Sequence, residues 1–367
     1  MKKLLFLLSV LSCSLFAENQ PVLLFDESQQ SKMWCFKEKQ QTVEAELTFL
    51  YLTSTMSTPY SSELLLLNSA IFPLFTDVID AKTASVDPEY NASFQSVLRY
   101  HIPSSNHLLV GSYRYIHNDA SGQLKRDTIS DDINGITQRN IQDDNGNQHA
   151  HVHTIDLMLQ HYYRLSKTAV FYIASGMTVN DIHYFFSFHN NDQIFNSSGN
   201  VLTTQLDLSG DRKIRLWGIG PKLGVGFEYS FLPLDWHHDL NFNVGFEFSF
   251  QFAKKWGRGK FRGVGHQELT LTATETAFTR KWEDKPEFEL LPNINLDIHL
   301  EYRYCSNKNL ILSLTGGYRI ITFWEIYDLN REVNFRMERV QPILAAQLRE
   351  EDSVGFAGPY VSLGISY

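Results

Sequence analysis

Gly358-Pro-Tyr-Val-Ser-Leu-Gly-Ile-Ser-Tyr367 ends the sequence and alternates two kinds of side chain. Val361, Leu363, Ile365 and Tyr367 are apolar or aromatic, and most of the residues between them are small or polar. Because successive side chains of a strand point to opposite faces, this stretch has one apolar face and one face of mostly small or polar residues. Such a last strand is typical of a membrane β-barrel, where it pairs with the first strand and removes the open edge.

Nine further segments show the same alternation. The clearest is Leu240–Phe252, in which seven apolar residues alternate with Asn, Gly, Glu, Ser and Gln. A strand in a soluble core seldom needs so many apolar positions on one face, whereas a tilted membrane-spanning strand does. The ten segments are 43–51, 94–102, 109–115, 155–164, 171–179, 217–230, 240–252, 294–304, 312–324 and 358–367. They predict an all-β transmembrane antiparallel β-barrel of ten or more strands. Glu268–Ala273 alternates too, and a hairpin there would raise the number to about 12 or more.

The gaps between these segments are alternately long and short. The long gaps are 54–89, 118–150, 189–212, 257–288 and 327–352, and the short ones are 103–106, 166–168, 232–239 and 306–309. Outer-membrane barrels have short periplasmic turns and long extracellular loops, so we place the short gaps and both termini in the periplasm. The polar stretches Asp131–Gly135 and Asp143–Asn147 predict solvated loops within one long gap.

The beginning of the sequence predicts export. Met1-Lys2-Lys3 is positively charged, Leu4–Leu11 is largely apolar, and Ala17 fits the last residue before cleavage. We therefore predict a signal peptide over residues 1–17, with a lipoprotein site at Cys13 as a poorer fit. Residues 18–41 are then a periplasmic N-terminal lead or a lumen plug, and residues 42–367 are the barrel. The expected location is the outer membrane of a Gram-negative-type bacterium.

Composition agrees with a barrel in an outer membrane. The chain has 26 Phe, 17 Tyr and 6 Trp, a load expected where aromatic girdles lie at both membrane interfaces. A net charge of −9 argues against a nucleic-acid partner. The expected partners are outer-membrane lipid, small hydrophilic solutes and the barrel-assembly machinery, for which Tyr367 would be the recognised terminal aromatic. A homo-oligomer is compatible with this interpretation.

Charged residues on the polar faces are expected to line the lumen, because charges are costly on the lipid side. The acids are Glu44, Glu46, Asp156, Glu228, Glu247, Asp297, Glu301 and Glu325, and the bases are Arg99, Arg114, Arg164, Lys222, Arg303 and Arg319. This near balance predicts a porin-like channel for passive diffusion of small hydrophilic solutes, with at most a mild cation preference. In one alternative the charges pair and fill the lumen of a structural barrel. In another, the long loops serve adhesion.

Histidines and motifs bear on the rival hypothesis of an enzyme. His149, His151 and His153 share one face at the outer end of the fourth predicted strand, and imidazole binds zinc and copper. They are weak candidates for a rim metal site, because they have the parity of the lipid-facing side and lack a carboxylate or cysteine at fixed spacing. The sequence has no Gly-x-Ser-x-Gly elbow or zincin motif, so we expect no enzymatic activity.

Two cysteines, Cys35 and Cys305, remain after the predicted cleavage. In an oxidising compartment they can form a disulfide, but sequence alone does not show that they meet. An intramolecular disulfide, an envelope cross-link and two free thiols stay open, and some form of disulfide is favoured.

Five stretches resemble outer-membrane proteins of the Legionella major outer-membrane-protein type, a group that overlaps the chlamydial-like porins. They are Val43–Tyr51, Ser93–Tyr100, Thr154–Leu157, Leu216–Gly224 and Gly358–Tyr367, of which Trp217-Gly-Ile-Gly-Pro221 is the most specific. The resemblance implies a porin barrel without a cofactor. Two departures are Leu52 after Tyr51, where the family commonly has Trp, and Tyr367, where Phe is usual.

Overall fold

The structure is a computed structural model of the 367-residue chain. It describes residues 43–54, 59–60, 84–85, 89–103, 105–131, 137–166, 168–195, 202–231, 238–269, 272–283, 286–306, 310–324, 333–336, 343–346 and 353–367. The predicted signal peptide and the predicted lead or plug lie outside these residues. None of the described residues forms a helix, and so none contributes a helix able to cross a membrane.

Fifteen strands make up the described structure. They are β1 (Val43–Ser54), β2 (Pro59–Tyr60), β3 (Ala84–Ser85), β4 (Tyr90–His101), β5 (His107–Asp131), β6 (Thr137–Arg164), β7 (Ala169–Phe195), β8 (Leu202–Phe231), β9 (His238–Leu269), β10 (Thr272–Glu283), β11 (Glu287–Cys305), β12 (Ile311–Trp324), β13 (Val333–Arg336), β14 (Ile343–Ala346) and β15 (Ser353–Ser366). The pairs β2–β3 and β13–β14 form separate two-stranded sheets.

The remaining strands close into one antiparallel barrel. Their order around it is β1, β4, β5, β6, β7, β8, β9, then β10 and β11 together, then β12 and β15. β10 and β11 pair with successive parts of β9 and therefore occupy one position in the ring. The barrel thus has ten strand positions, which we call staves. The ring closes where β15 pairs with β1, in the register Leu47 opposite Leu363. This confirms the predicted antiparallel barrel.

The ten strand positions agree with the prediction of ten or more strands, and the additional hairpin at Glu268–Ala273 that would have raised the number to about 12 is not found. Glu268 pairs with Ala273 and Leu269 with Thr272, so this segment is the tip of the β9–β10 hairpin. It lengthens two existing staves and adds no new one, because its alternation continues that of β9.

Three segments that we predicted as long loops, 118–150, 189–212 and 257–288, consist mostly of strand residues. These residues extend strands β5 to β10. The register of β5 with β6 runs without interruption from His107–His161 to Asp131–Thr137, and Asp143–Asn147 therefore lies inside a strand. Polar composition suggested a loop there, but the ladder that begins in the apolar part of the barrel continues through it. Asp132–Gly135 lies outside the described residues, as do most of 54–89 and 327–352.

Apolar side chains encircle the outside of the barrel near the end that carries Val43 and Tyr367. We call this band the apolar belt. Exposed members on the successive strands include Leu47, Phe49, Leu98, Leu109, Ile155, Leu157, Met177, Leu223, Val225, Phe246, Phe250, Ile298, Leu300, Leu312, Leu314, Val361 and Leu363. Along β9 it runs from Leu240 to Phe252, about 30 Å at the rise and tilt usual for membrane barrels.

Candidate functional site in the barrel lumen

Strand parity directs one set of side chains into the lumen. In β1 the even-numbered residues Glu44, Glu46 and Thr48 are more buried than their odd-numbered neighbours, of which Phe49 is exposed. The same inside–outside alternation holds in β4 and β12. Inward-facing charges of neighbouring staves therefore meet within the closed ring.

Arg99 forms the first of these charge clusters. Its Nη1 lies 2.7 Å from Oε1 of Glu44, and its Nη2 lies 2.6 Å from Oε2 of Glu46. The two carboxylates alternate along β1, and Arg99 is opposite Glu44 in the register with β4. A guanidinium can thus hold both acids at once.

Arg303 forms a second cluster, with acidic residues of β8 and β11. Its Nη2 donates to Glu301 at 2.6 Å, and its Nη1 donates to Glu228 at 3.3 Å. Glu228 belongs to β8 and Arg303 to β11, so this contact passes over the inner face of β9.

Lys222 lies at the centre of a third cluster. Its Nζ lies 2.9 Å from Oδ2 of Asp156 and 2.7 Å from Oε2 of Glu247, and the lysine side chain is 3% exposed. Asn295 donates a further hydrogen bond to Glu247 at 2.7 Å. Buried charges are stable only when paired in this way.

Arg319 forms the fourth cluster and joins distant staves. Its guanidinium pairs with Asp297 on β11 and donates to the side-chain carbonyl of Gln95 on β4. Tyr360 on β15 donates to Asp297 at 2.7 Å, and the Arg319 guanidinium lies 4.8 Å from the Tyr360 ring centre.

Two predicted lining residues make none of the ion pairs of the four clusters, although Arg114 lies close enough to Asp156 for their charges to interact. Arg114 is buried, and its Nε has no hydrogen-bond partner among the described residues. Arg164 is exposed at the end carrying the termini and donates to the backbone carbonyl of Ser166 at 3.2 Å. The predicted lining residue Glu325 lies outside the described residues.

Beyond the charge clusters, toward the long hairpins, the lumen wall becomes apolar. Leu50, Leu52, Ile116, Leu216 and Phe323 are almost completely buried on inward-facing positions. We did not predict this apolar layer. The runs of consecutive apolar residues, such as Phe49–Leu52, indicate it, because both faces of a strand are then apolar.

The histidines of the predicted rim site lie on the outside of the barrel, beyond the apolar belt. Nδ1 of His149 lies 2.8 Å from Oδ1 of Asp119, and Nδ1 of His151 lies 3.2 Å from Nδ1 of His117. Nδ1 of His153 forms a hydrogen bond with the Tyr113 hydroxyl. Among the described residues, no group of three or more histidine, cysteine or acidic side chains is arranged to hold a metal ion.

Cys305 is disulfide-bonded. Its side chain has the inward parity of β11, at the end of the barrel that carries the termini. Cys35, the other cysteine of the possible intramolecular disulfide, lies outside the described residues.

Comparisons with solved structures return membrane barrels at low similarity. The outer membrane protease OmpT from Escherichia coli has 9% identity and a TM-score of 0.34, covering 89% of this chain and 96% of its own. A Pseudomonas aeruginosa FadL homologue has 7% identity and a TM-score of 0.23, covering 90% of each chain. The toluene transporter TodX from P. putida has 6% identity and a TM-score of 0.22, covering 91% and 90%.

A search of curated proteins returns no match. The family model of the Legionella pneumophila major outer membrane protein precursor, in contrast, matches residues 37–367 and so spans the whole barrel. The chain therefore belongs to the Legionella major outer membrane protein family, and it is an outer-membrane β-barrel.

Proposed function

We propose that this protein is a narrow outer-membrane channel through which small hydrophilic solutes diffuse passively. In this proposal the apolar belt faces lipid, and the end with Val43 and Tyr367 faces the periplasm. The lumen then connects the two sides of the membrane, with the four charge clusters as its constriction. Export by a cleaved signal peptide, a homo-oligomeric state and recognition of Tyr367 by the assembly machinery are parts of the same proposal.

The charge clusters are the observation that carries the proposal. Within the apolar belt, charged side chains occupy inward-facing positions, and some of them stay partly open to the lumen. Arg99 and Glu247 each retain 27% side-chain exposure. A lumen lined by such crossed charges would admit small hydrated solutes and exclude large or apolar ones.

The balance of lumen charges favours a mild cation preference. Of the predicted lining residues that the structure describes, seven are acids and six are bases. The excess is small, so selection by size should dominate selection by charge.

Single-channel recording in planar bilayers tests the proposal. Folded wild-type protein, identified by its heat-dependent gel mobility, should give discrete conductance steps. Arg99→Gln should raise the cation-to-anion permeability ratio about two- to fivefold, because Glu44 and Glu46 lose their partner and one charge in water is worth about 0.5–1 kcal/mol at short range. The ratio follows from the reversal potential in a KCl gradient.

Lys125→Gln is the matched control for this measurement. Lys125 is 67% exposed on the outer face of β5, so its loss should leave the permeability ratio unchanged. An unchanged ratio in Arg99→Gln would show that the Arg99 cluster does not line the conducting path.

A closed structural barrel is the second candidate. The near-complete burial of Lys222, Arg114 and Arg319 favours it, because tightly paired charges can fill a lumen without leaving a continuous water path. Folded protein that never produces conductance steps would support this candidate and contradict the channel. Neither candidate includes an enzymatic role.

A further inference from the structure

A group of basic side chains lies on the outer surface of β8, β9 and β10, just beyond the apolar belt. We call it the outer cationic patch. Its members are Lys213, Arg215, Lys254, Arg258, Lys260, Arg262 and Lys281. On β9 these residues continue the outward parity of Phe250 and Phe252, so the surface changes from apolar to cationic within two residues.

The register places like charges directly opposite each other in the patch. Lys213 is opposite Arg258 in the β8–β9 ladder, and Lys260 is opposite Lys281 in the β9–β10 ladder. Like charges in directly opposed positions destabilise a sheet. The repulsion would be relieved by an anion bound over these strands.

Nearby acids neutralise only part of the patch. Arg215 forms an ion pair with Asp181 at 3.1 Å, and that interaction is the one ion pair of the patch within the described residues. Partial burial tends to raise the pKa of Asp181, but hydrogen bonds from Arg215 and His183 outweigh it and lower that pKa. Asp211 and Glu283 are register neighbours of Lys260 and Arg258.

Aromatic side chains join the patch to the apolar belt. Trp217 is opposite Lys254 in the register, and the Arg215 guanidinium lies 5.3 Å from the Trp256 ring centre. Tryptophan is typical of the boundary between hydrocarbon and headgroups in a membrane. Basic side chains immediately beyond that boundary are at the height of lipid phosphates.

The size of the patch distinguishes a lipid from a free anion. From Lys254 to Arg262 the strand extends about 25 Å, far more than one inorganic phosphate can span. A headgroup with more than one phosphate fits this spacing, and its acyl chains would lie along Phe250 and Phe252 below it.

We propose that the outer cationic patch binds the headgroup of an anionic membrane lipid that carries more than one phosphate, such as a phosphorylated glycolipid of the outer leaflet. Lysine and arginine donate to the phosphate oxygens, and the apolar belt holds the acyl chains. The proposal rests on the lipid-facing assignment of the belt and is independent of conduction.

Native mass spectrometry of the folded, detergent-solubilised protein tests this binding. The probes are a bis-phosphorylated glucosamine disaccharide lipid, its fully dephosphorylated counterpart with the same acyl chains, and inorganic pyrophosphate. The phosphorylated lipid should bind at least about tenfold more tightly than the dephosphorylated one. Pyrophosphate at the same concentration should not displace it. Equal binding of the two lipids, or displacement by pyrophosphate, would overturn the proposal.

Charge-neutral variants assign the binding to the patch. Lys260→Gln/Lys281→Gln should weaken binding of the phosphorylated lipid about tenfold, since each basic residue near anionic lipid contributes about fivefold at most. Lys125→Gln, on the outer face of another long hairpin, removes an exposed lysine and should leave binding unchanged. Equal affinities for the double variant and wild type, or an equal loss in Lys125→Gln, would contradict the assignment.

Discussion

Lys222 shows what a single residue does in this lumen. Its ammonium group holds Asp156 and Glu247. Glu247 comes from β9, next to the β8 strand of Lys222, and Asp156 comes from β6, two positions away on the other side. The three side chains compensate one another's charge at a site where Lys222 and Asp156 are almost completely buried. Removal of one member should therefore cost more folding free energy than removal of one partner of a surface ion pair, because it leaves an uncompensated charge behind.

Lys222→Met tests this role. Removal of the ammonium leaves the buried Asp156 carboxylate and the partly exposed Glu247 carboxylate without their shared partner, so the free energy of unfolding should fall by about 3 kcal/mol. The measurement is reversible urea unfolding in lipid vesicles, followed by tryptophan fluorescence. Lys125→Met removes an exposed lysine 3.6 Å from Asp143 and should change the free energy by less than about 1 kcal/mol. Equal effects of the two variants would contradict a special role for Lys222.

Gly220 is constrained by its neighbours in space. The β8–β9 register runs to Ile219–Phe252 and resumes at Lys222–Ser249. In between, a Cβ on Gly220 would overlap the carbonyl oxygen of Phe250 and lie 2.7 Å from Cα of Gln251. Both neighbours are backbone atoms, which cannot move aside as a flexible side chain can.

Gly220→Ala should consequently destabilise the barrel by about 1–3 kcal/mol, the usual effect of overpacking. Gly111→Ala is the matched control, because a Cβ at Gly111 meets no atom within 4 Å. The control should be neutral or slightly stabilising in the same urea titration. A neutral Gly220→Ala variant would show that β8 and β9 are farther apart at this point than the structure has them.

β9 combines two environments in one element. Its first part, from Leu240 to Phe252, presents apolar side chains outward, and its second part presents Lys254, Arg258 and Lys260. The ladder with β8 is continuous across this change apart from the break near Gly220. The strand thus crosses from the belt into the extended hairpin without a turn.

Depth within the belt should determine the effect of a charge on β9. Phe246→Arg places a charge at the centre of the belt and should lower the free energy of unfolding by about 2–4 kcal/mol. Leu240→Arg, at the edge of the belt, should lower it by less than about 1 kcal/mol. Refolding into vesicles and urea titration measure both. If the two variants have equal stability, the inside–outside assignment of β9 is wrong.

At the scale of the whole molecule, the ring closes where the first and the last strand of the barrel, β1 and β15, pair with each other. The backbone N–H of Val43 donates to the carbonyl of Tyr367, and the N–H of Tyr367 donates to the carbonyl of Val43, both at 3.2 Å. The residue Tyr367 as a whole is 76% exposed. Its backbone therefore contributes to closure, while its ring contacts little of the barrel.

Tyr367→Ala separates folding from assembly in the cell. The free energy of unfolding of the purified barrel should change by less than about 0.5 kcal/mol, because the backbone hydrogen bonds remain. The amount of heat-modifiable barrel in outer membranes should fall, if the assembly machinery recognises the terminal ring. Tyr318→Ala, at another exposed tyrosine of the outer face, should change neither quantity. Wild-type assembly of Tyr367→Ala would contradict the recognition.

The sequence by itself determined the barrel and which side chains face inward, because period-two alternation is local and each strand carries its own pattern. Leu240–Phe252 and Gly358–Tyr367 show this most clearly. The extent of the hairpins was not predictable, since segments such as Asp143–Asn147 lack an apolar face and are strands only because a paired neighbour continues the ladder.

Only the tertiary structure decided which charges meet. Arg319 reaches Asp297 and Gln95, and Lys222 reaches Asp156 and Glu247, through register and ring closure that bring together residues far apart in the chain. The like-charge pairs of the outer cationic patch arise in the same way. The alternation of residues specifies a side of the sheet, whereas contacts across the lumen depend on the order of the staves and on their relative shift, which are properties of the closed molecule.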